Sequence, residues 1–423
     1  MHMMASLENR FTNAMLTMIR ARRRESSGHQ AVSRSSSIAR STSVVVREAT
    51  FADFPAVAEL KQCSGLTPDS LDNWERLWRR NPALKKQPSA RPIGWVLEAD
   101  NRIVGYLGNI SALYRYGART LNAVVGHGFV VEPQFRAFSL RLAGAFYRQP
   151  FVDLYLTTTA IEAVGRMAKA FKSDPLPQAD YDAMLFWVLR SYPFAQSVMK
   201  KLKLGSALSY LGAIGVSSAV GLDKLARTRW PRGGAHGFIL TEVSIPEIGE
   251  GFRRLWEEKA NERSQLLADR SPETLRWHFE IPGDKGSARV LCCYKGPELV
   301  GYAIVRHEPP NQASGLKRSI IAEILVKQDN PDVLRCLWVA AFDQAKKAGS
   351  HILEVLGFPP SIRSVAFQWK PYVRKYPACP FYYRASNQTL HQELTDSRLW
   401  YASGFDGDTT LFNFGTSPQG TRA

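Results

Sequence analysis

The sequence predicts an α+β protein made of two copies of one unit. Strand-like runs rich in Val, Ile and Tyr alternate with stretches whose apolar residues recur at helical spacing, so neither an all-α nor an all-β core fits. A segment of the first half recurs in the second. "VLEADNRIVGYLGNI" is echoed by "LCCYKGPELVGYAIV", and Gly105-Tyr106 returns as Gly301-Tyr302, 196 positions on. The strand ends at Val131 and Val326 are 195 apart, and the runs "DLYL" and "ILEV" are 199 apart. A fixed period marks a repeated structural unit. The units are read as 44–195 and 236–423, joined by a helical connector at 196–235.

The elements follow in order. "VVVREATFADFPAVAEL" reads as a strand and then a helix, with Thr50 as N-cap and Asp53 three residues on. "IGWVLEADNRIVGYLGNISALYRYG" reads as a hairpin around "ADNR". "LNAVVGHGFVVEP" is a strand that Pro133 ends. "SLRLAGAFYRQ" is a helix, "VDLYLTTT" a strand, "AIEAVGRMAKAF" a helix and "YDAMLFWVLRSY" a strand. The second half opens alike, "GFILTEVSI" as strand and "PEIGEGFRRLWEEKAN" as helix. Its end, "LWYASGFDGDTTLF", reads as a strand followed by an Asp/Gly turn.

Charge and composition narrow the partners. The 423 residues carry a net charge of +17, which suits phosphates, anionic cofactors or nucleic acid. Residues 1–43 hold seven Arg and two Glu among many Ser, and read as a disordered basic leader. Five cysteines, none in a CxxC pair, exclude a disulfide scaffold and a zinc ribbon and fit a reducing, cytoplasmic setting. Cys292 and Cys293 read as strand residues. The uncharged run 205–222 is rich in Gly and Ser, and reads as a small-residue helix packed between domains, not as a membrane span. EF-hand spacing is absent from "DGD", and no metal site is expected.

The stretch "VVEPQFRAFSLRLAGAF" joins the strand ending at Val131 to the next helix. With the order of elements around it, it resembles the GCN5-related N-acetyltransferase (GNAT) superfamily, once per half over most of 44–423. The family pattern is Val, any residue, Pro, two residues, then Arg/Gln-x-x-Gly-x-Gly/Ala. It falls on Val131, Pro133, Arg136, Ser139 and Arg141. The first three match, whereas Ser139 and Arg141 stand where glycines are usual. The resemblance implies two tandem GNAT folds, each a mixed, mostly antiparallel sheet flanked by helices. It also implies acetyl-CoA or another acyl-CoA as co-substrate. Its holders would be Val130 and Val131, the turn Gln134, Phe135, Arg136, Ala137 and Phe138, and then Ser139 and Arg141. Helix amides bind a pyrophosphate without any particular side chain, so lost glycines do not forbid it. The second copy, "LVKQDNPDVLRCLW", lacks the pattern and carries Asp329 and Asp332, so it is expected not to bind coenzyme A.

Acyl transfer to an amine needs a base, an oxyanion donor and an acid for the thiolate. His127 lies four residues before Val131 and is expected on the same strand face, as the base. The resemblance assigns the oxyanion role to the backbone of Val130 and Val131. It places Tyr147 and Tyr155 where the family often supplies an acid, and Tyr155 is the candidate. Glu132 is expected on the opposite face. Glu323, on the matching strand, reaches a shared groove only if the copies face each other. The family's Asn at the start of the second helix is Ile161 here.

The function these residues imply is an acyl-CoA-dependent N-acyltransferase, with acetyl transfer from acetyl-CoA to a primary amine on a small molecule, sugar or protein as the expected reaction. Two alternatives stay open: a Fem-like aminoacyl transferase using charged tRNA, which the basic chain would suit, and a non-catalytic binding protein with decayed GNAT folds. The sequence also leaves homo-oligomerisation open.

Overall fold

The computed structural model describes residues 43–86, 91–201, 217, 218, 221, 237–282, 286–375 and 380–411. The basic leader, Cys379, and most of the connector and of the small-residue run lie outside them. The strands are β1 (Val44–Glu48), β2 (Gly94–Ala99), β3 (Arg102–Tyr116), β4 (Arg119–Val131), β5 (Leu154–Thr157), β6 (Asp174–Pro175), β7 (Ala183–Val188), β8 (Ile239–Val243), β9 (Leu266–Ala268), β10 (Ala288–Lys295), β11 (Glu298–Glu308), β12 (Arg318–Val326), β13 (Ile352–Val355), β14 (Tyr372–Lys375) and β15 (Tyr382–Ala385). The helices are α1 (Phe54–Cys63), α2 (Leu71–Arg79), α3 (Pro82–Lys85), α4 (Ser139–Tyr147), α5 (Glu162–Ala170), α6 (Ser191–Lys201), α7 (Glu250–Glu262), α8 (Pro272–Phe279), α9 (Pro331–Lys347), α10 (Pro360–Phe367) and α11 (Gln388–Glu393).

Local chemistry explains the regular parts. The β2–β3 hairpin turns on Asp100 and Asn101, both at positive φ (48° and 62°). Two such residues form the turn whose twist matches that of paired strands, and Asp and Asn tolerate it best after Gly. Before α1, the Asp53 carboxylate accepts the Thr50 N–H at 2.7 Å and pairs with Arg47. Cys292 and Cys293 are both buried in β10, a strand covered on both faces.

Two mixed sheets result, each flanked by helices. The first runs β1-β2-β3-β4-β5-β15-β6, with β9 on the end of β3; the second runs β14-β7-β13-β12-β11-β10-β8. Read from β1 and from β8, the two have the same order. In each, the fourth and fifth strands are parallel: β4 with β5, and β12 with β13. In each, the sixth strand comes from the other half. β7 pairs antiparallel with β13, and β15 pairs antiparallel with β5. β7 is almost wholly buried, as an interior strand must be. Its Trp187 packs on Trp338 and Phe342 of α9, with ring centroids 5.4 and 5.1 Å apart.

One hydrophobic core runs through both sheets. Polar bolts cross it. Arg76 of α2 donates to the Leu411 carbonyl at 2.7 Å, and the Trp277 indole of α8 donates to the Arg76 carbonyl at 2.8 Å. The stretch 400–411 is not the expected strand. It is irregular, with isolated backbone bridges at Trp400 and Ser403, and is buried at Phe405, Asp406, Asp408 and Leu411. Such backbone can be buried because side chains satisfy it: Asp406 accepts the Ser403 N–H, and Tyr114 donates to the Asp406 carbonyl.

Arg270 holds this segment to the second sheet. It is fully buried, 2.7 Å from Glu323 and 3.1 Å from Asp406. One guanidinium serves two carboxylates, so the cluster carries excess negative charge. Burial, with Asp406 close by, pushes the Glu323 carboxyl up to about 7 although Arg270 pulls the other way. Replacing Arg270 by Met leaves two buried carboxylates without a cation and is expected to cost about 3–5 kcal/mol in chemical denaturation. A raised folded-state value also means that the group's stabilising effect is present in acid and lost as pH rises through about 7. Unfolding free energy of the wild type is therefore expected to fall between pH 6 and 8 by more than that of Glu323→Gln, measured by urea titration across that range.

Candidate functional site

The gap between β4 and β5 is where the sequence features converge. Parallel pairing covers only Ala123–Val125 against Leu154–Leu156. Beyond it β4 runs on to Val131, and its edge there meets no strand among the described residues. The opposite edge stays paired with β3 but carries a bulge. Gly108 faces His127 and Tyr106 faces Val130, so β4 has one residue more than β3 across that step. Gly128 sits in the bulge at φ +61°, and a Cβ there would lie 2.9 Å from Cε and Nζ of Lys61.

The extra residue reverses the side-chain alternation. His127 faces α2, with its ring centroid 6.3 Å from that of Trp78. Val131 packs on the other face, against Leu97 and Val104. The expectation that His127 and Val131 share a face is therefore overturned, because a bulge shifts the period of two by one.

His127 is 2 % exposed and sits between two carboxylates. Its Nδ1 lies 3.3 Å from Asp408 and its Nε2 lies 3.6 Å from Asp69. Lys61 Nζ, from α1, lies 2.7 Å from the same Asp69. Burial alone pushes the Asp69 carboxyl up, but the Lys61 and His127 charges outweigh it and hold it well below the carboxylate range. For His127, burial and Lys61 disfavour the cation; Asp408 and Asp69 favour it and prevail, so its value is raised. Asp408 also accepts from the Thr158 hydroxyl at 2.8 Å, and the exposed Thr159 hydroxyl lies 3.3 Å away. A Cβ on Gly407 would lie 2.3 Å from the Thr158 hydroxyl oxygen, so only glycine lets the chain approach this closely.

Tyr155 lies elsewhere. It is paired with Val124 on the face opposite His127, is 3 % exposed, and donates to the Gln149 carbonyl at 2.9 Å. Tyr147 is buried and stacks on Phe171. The structure does not bring His127 and Tyr155 together.

The loop after β4 is a 3-10 turn, Pro133–Phe138, leading into α4. No side chain caps the start of either. Phe135 and Phe138 pack against the cluster of Leu97, Ala99 and Val104. Gln134 donates to Glu132 at 2.6 Å, and Glu132 also pairs with Arg102. Arg141 lies over the Phe138 ring. Val130 is buried, Ser139 half-buried, Ala137 and Arg136 exposed. The Arg136 side chain makes no hydrogen bond or ion pair among the described residues. Ile161 takes the N-cap position of α5 without a side chain that caps it.

The corresponding loop of the second half is closed by its own side chains. Asn330 accepts from the Asp332 and Val333 amides at 2.9 and 3.3 Å, and Glu262 accepts from the Gln328 amide at 2.6 Å. Asp329 turns inward to Lys259 at 2.6 Å and pairs with Arg263; Asp332 pairs with Arg335. The amides there are already used, a stronger obstacle to a phosphate than the acidic charge that the sequence suggests. β12 has a bulge as well, at Ala322, next to the buried Glu323.

Lys61, Asp69, Thr158 and Asp408 went unnoticed in the sequence. The one local sign was a glycine held between two aspartates, which reads equally well as a turn. Among the described residues no group of three or more His, Cys, Asp and Glu is placed to hold a metal ion, and no helix is long and apolar enough to cross a membrane.

No family model and no curated protein sequence matches the chain. Solved structures do. A GCN5-related N-acetyltransferase from Anabaena variabilis aligns at TM-score 0.53 and 10% identity, over 82% of this chain and 73% of that one. A conserved protein of unknown function from Enterococcus faecalis, described as a probable N-acyltransferase, gives 0.51 and 9%, over 81% and 72%. Saccharomyces cerevisiae N-myristoyltransferase with bound myristoyl-CoA and inhibitors gives 0.50 and 12%, over 84% and 83%. At these identities the likeness is one of architecture, and the chain has the fold of the GCN5-related N-acetyltransferases.

Proposed function

We propose that the protein is an acyl-CoA-dependent N-acyltransferase, built as two tandem GNAT units of which the first, 44–195, holds the cofactor. The observation that supports this most is the contrast between the two loops. The turn after β4 starts a helix with no capping side chain and an unpaired Arg136, beside an open strand edge. Its counterpart after β12 has three amides taken by Asn330 and Glu262. Uncapped helix amides and an arginine suit a pyrophosphate; capped ones do not.

The chemistry then follows from the gap. The free edge of β4 near Val130 and Val131 would hold the pantetheine arm and hydrogen-bond the thioester carbonyl. The amine nitrogen attacks that carbon, the C–S bond breaks, and the thiolate leaves with a proton. The ammonium proton of the acceptor must go elsewhere. In this reading it passes through the exposed Thr159 hydroxyl to Asp408, with His127 behind as the group that shares the charge. The acyl group and the amine are best approached with a panel of acyl-CoAs from acetyl to myristoyl against amines of each class.

Calorimetry should show saturable binding of at least one acyl-CoA, weakened about tenfold or more by Arg136→Ala, the worth of a hydrogen bond to a charged group. Absence of binding across the panel overturns the reading. Once a turnover assay exists, kcat/KM should rise with pH through a value above that of an ordinary imidazole. Asp408→Asn removes both the proton acceptor of this reading and a carboxylate that favours the His127 cation, so kcat/KM should fall and the remaining limb should move to lower pH while acyl-CoA affinity changes little.

A further inference from the structure

A small cavity of about 30 Å³ lies where three parts of the chain meet. β3 of the first half contributes Ser111, the second half contributes Asp269, Thr274 and His278, and the buried segment 400–411 contributes Gly407. Val125, Trp277 and Leu411 add apolar surface. Ser111 is 1 % exposed, and its hydroxyl has no hydrogen-bond partner among the described residues. The Ser111 carbonyl is satisfied separately, by the Asn81 side chain at 2.8 Å. His278 of α8 uses Nδ1 on the Thr410 hydroxyl at 2.8 Å, and its Nε2 makes no hydrogen bond among the described residues. Burial, with the charges of Arg76 and Arg270, holds this imidazole well below the usual histidine range, so it is neutral. Asp269 Oδ2 accepts from the Ser271 and Thr274 hydroxyls at 3.0 Å each, whereas Oδ1 accepts only the Ser271 amide, at 2.9 Å.

Cavities that stay dry are lined by apolar groups, and a buried polar group left unpaired is costly. This cavity carries a hydroxyl, an imidazole nitrogen and a carboxylate oxygen, each with bonding capacity left. At about 10–15 Å³ for each water, its volume admits one and leaves room for a second. A buried water makes about three hydrogen bonds, the number that these three groups offer. We propose that the cavity is a binding site for ordered water, which bridges Ser111 of the first half to His278 and Asp269 of the second. Gly407 also lines it, so the water sits beside the stretch that carries Asp408 to His127 and Thr158. The site needs no acyl-CoA and stands whether or not the chain binds one.

Two measurements on the full chain test this. A high-resolution crystal structure of the wild type should show an ordered water within hydrogen-bond distance of Ser111 Oγ and of His278 Nε2 or Asp269 Oδ1. In urea titration, Ser111→Ala should lower the folding equilibrium constant about fivefold, the worth of one net hydrogen bond. A dry cavity gives the opposite sign, because alanine then removes an unpaired buried hydroxyl and the variant gains stability. An empty cavity in the wild-type structure overturns the inference, and so does a Ser111→Ala variant that is as stable as the wild type or more so.

Discussion

The exchange of one strand between the halves is the constraint on which the structure depends. A β-sheet edge carries backbone groups that must be paired, covered or solvated. β5 and β13 each have such an edge, and each is sealed by a strand from the other half. Once β7 and β15 are in place, the two sheets share one core, and residues 400–411, beyond α11, are largely buried against it. Asp406 and Asp408 belong to that stretch, and each reaches a different gap: Asp406 the β12–β13 gap through Arg270, Asp408 the β4–β5 gap through His127.

The two gaps have the same strand order, and β4 and β12 each carry one extra residue, yet they are filled differently. Near β12 a guanidinium meets two carboxylates and all are sealed in. Near β4 a lysine and a histidine whose cation is favoured face two carboxylates, and the set reaches the hydroxyl of the exposed Thr159. Burial raises the cost of any unbalanced charge, which is what pushes the Glu323 carboxyl up in the first arrangement. The loops differ in the same direction: one is closed by its own side chains and the other is left open.

Much of the architecture was legible because it is local. Asp100-Asn101 specifies a tight hairpin turn, Thr50 with Asp53 opens a helix, and Pro133 ends a strand. The repeat at about 196 positions matched strands that do hold equivalent places in the two sheets. What could not be read depends on distant pairing. "AMLFWV" is an interior strand by composition, but nothing in it says which sheet it enters. The facing of His127 depended on a single inserted residue, since Gly128 looks like any glycine in a strand until its φ is known. Asp408 touches residues 250 and 281 positions away, and no local pattern can report that.

The exchange also sets an order of events during synthesis. The first sheet lacks a pairing strand until residues 382–385 have left the ribosome, and the second takes in a strand made before its own first one. Residues 44–188 must therefore wait, with the β5 edge open and the apolar face of β7 uncovered, while almost two hundred further residues are translated. At about 5–20 residues per second that delay is on the order of ten to forty seconds. A growing chain in that condition is a natural client for chaperones, and the short strand β5, only four residues long, keeps the waiting edge small.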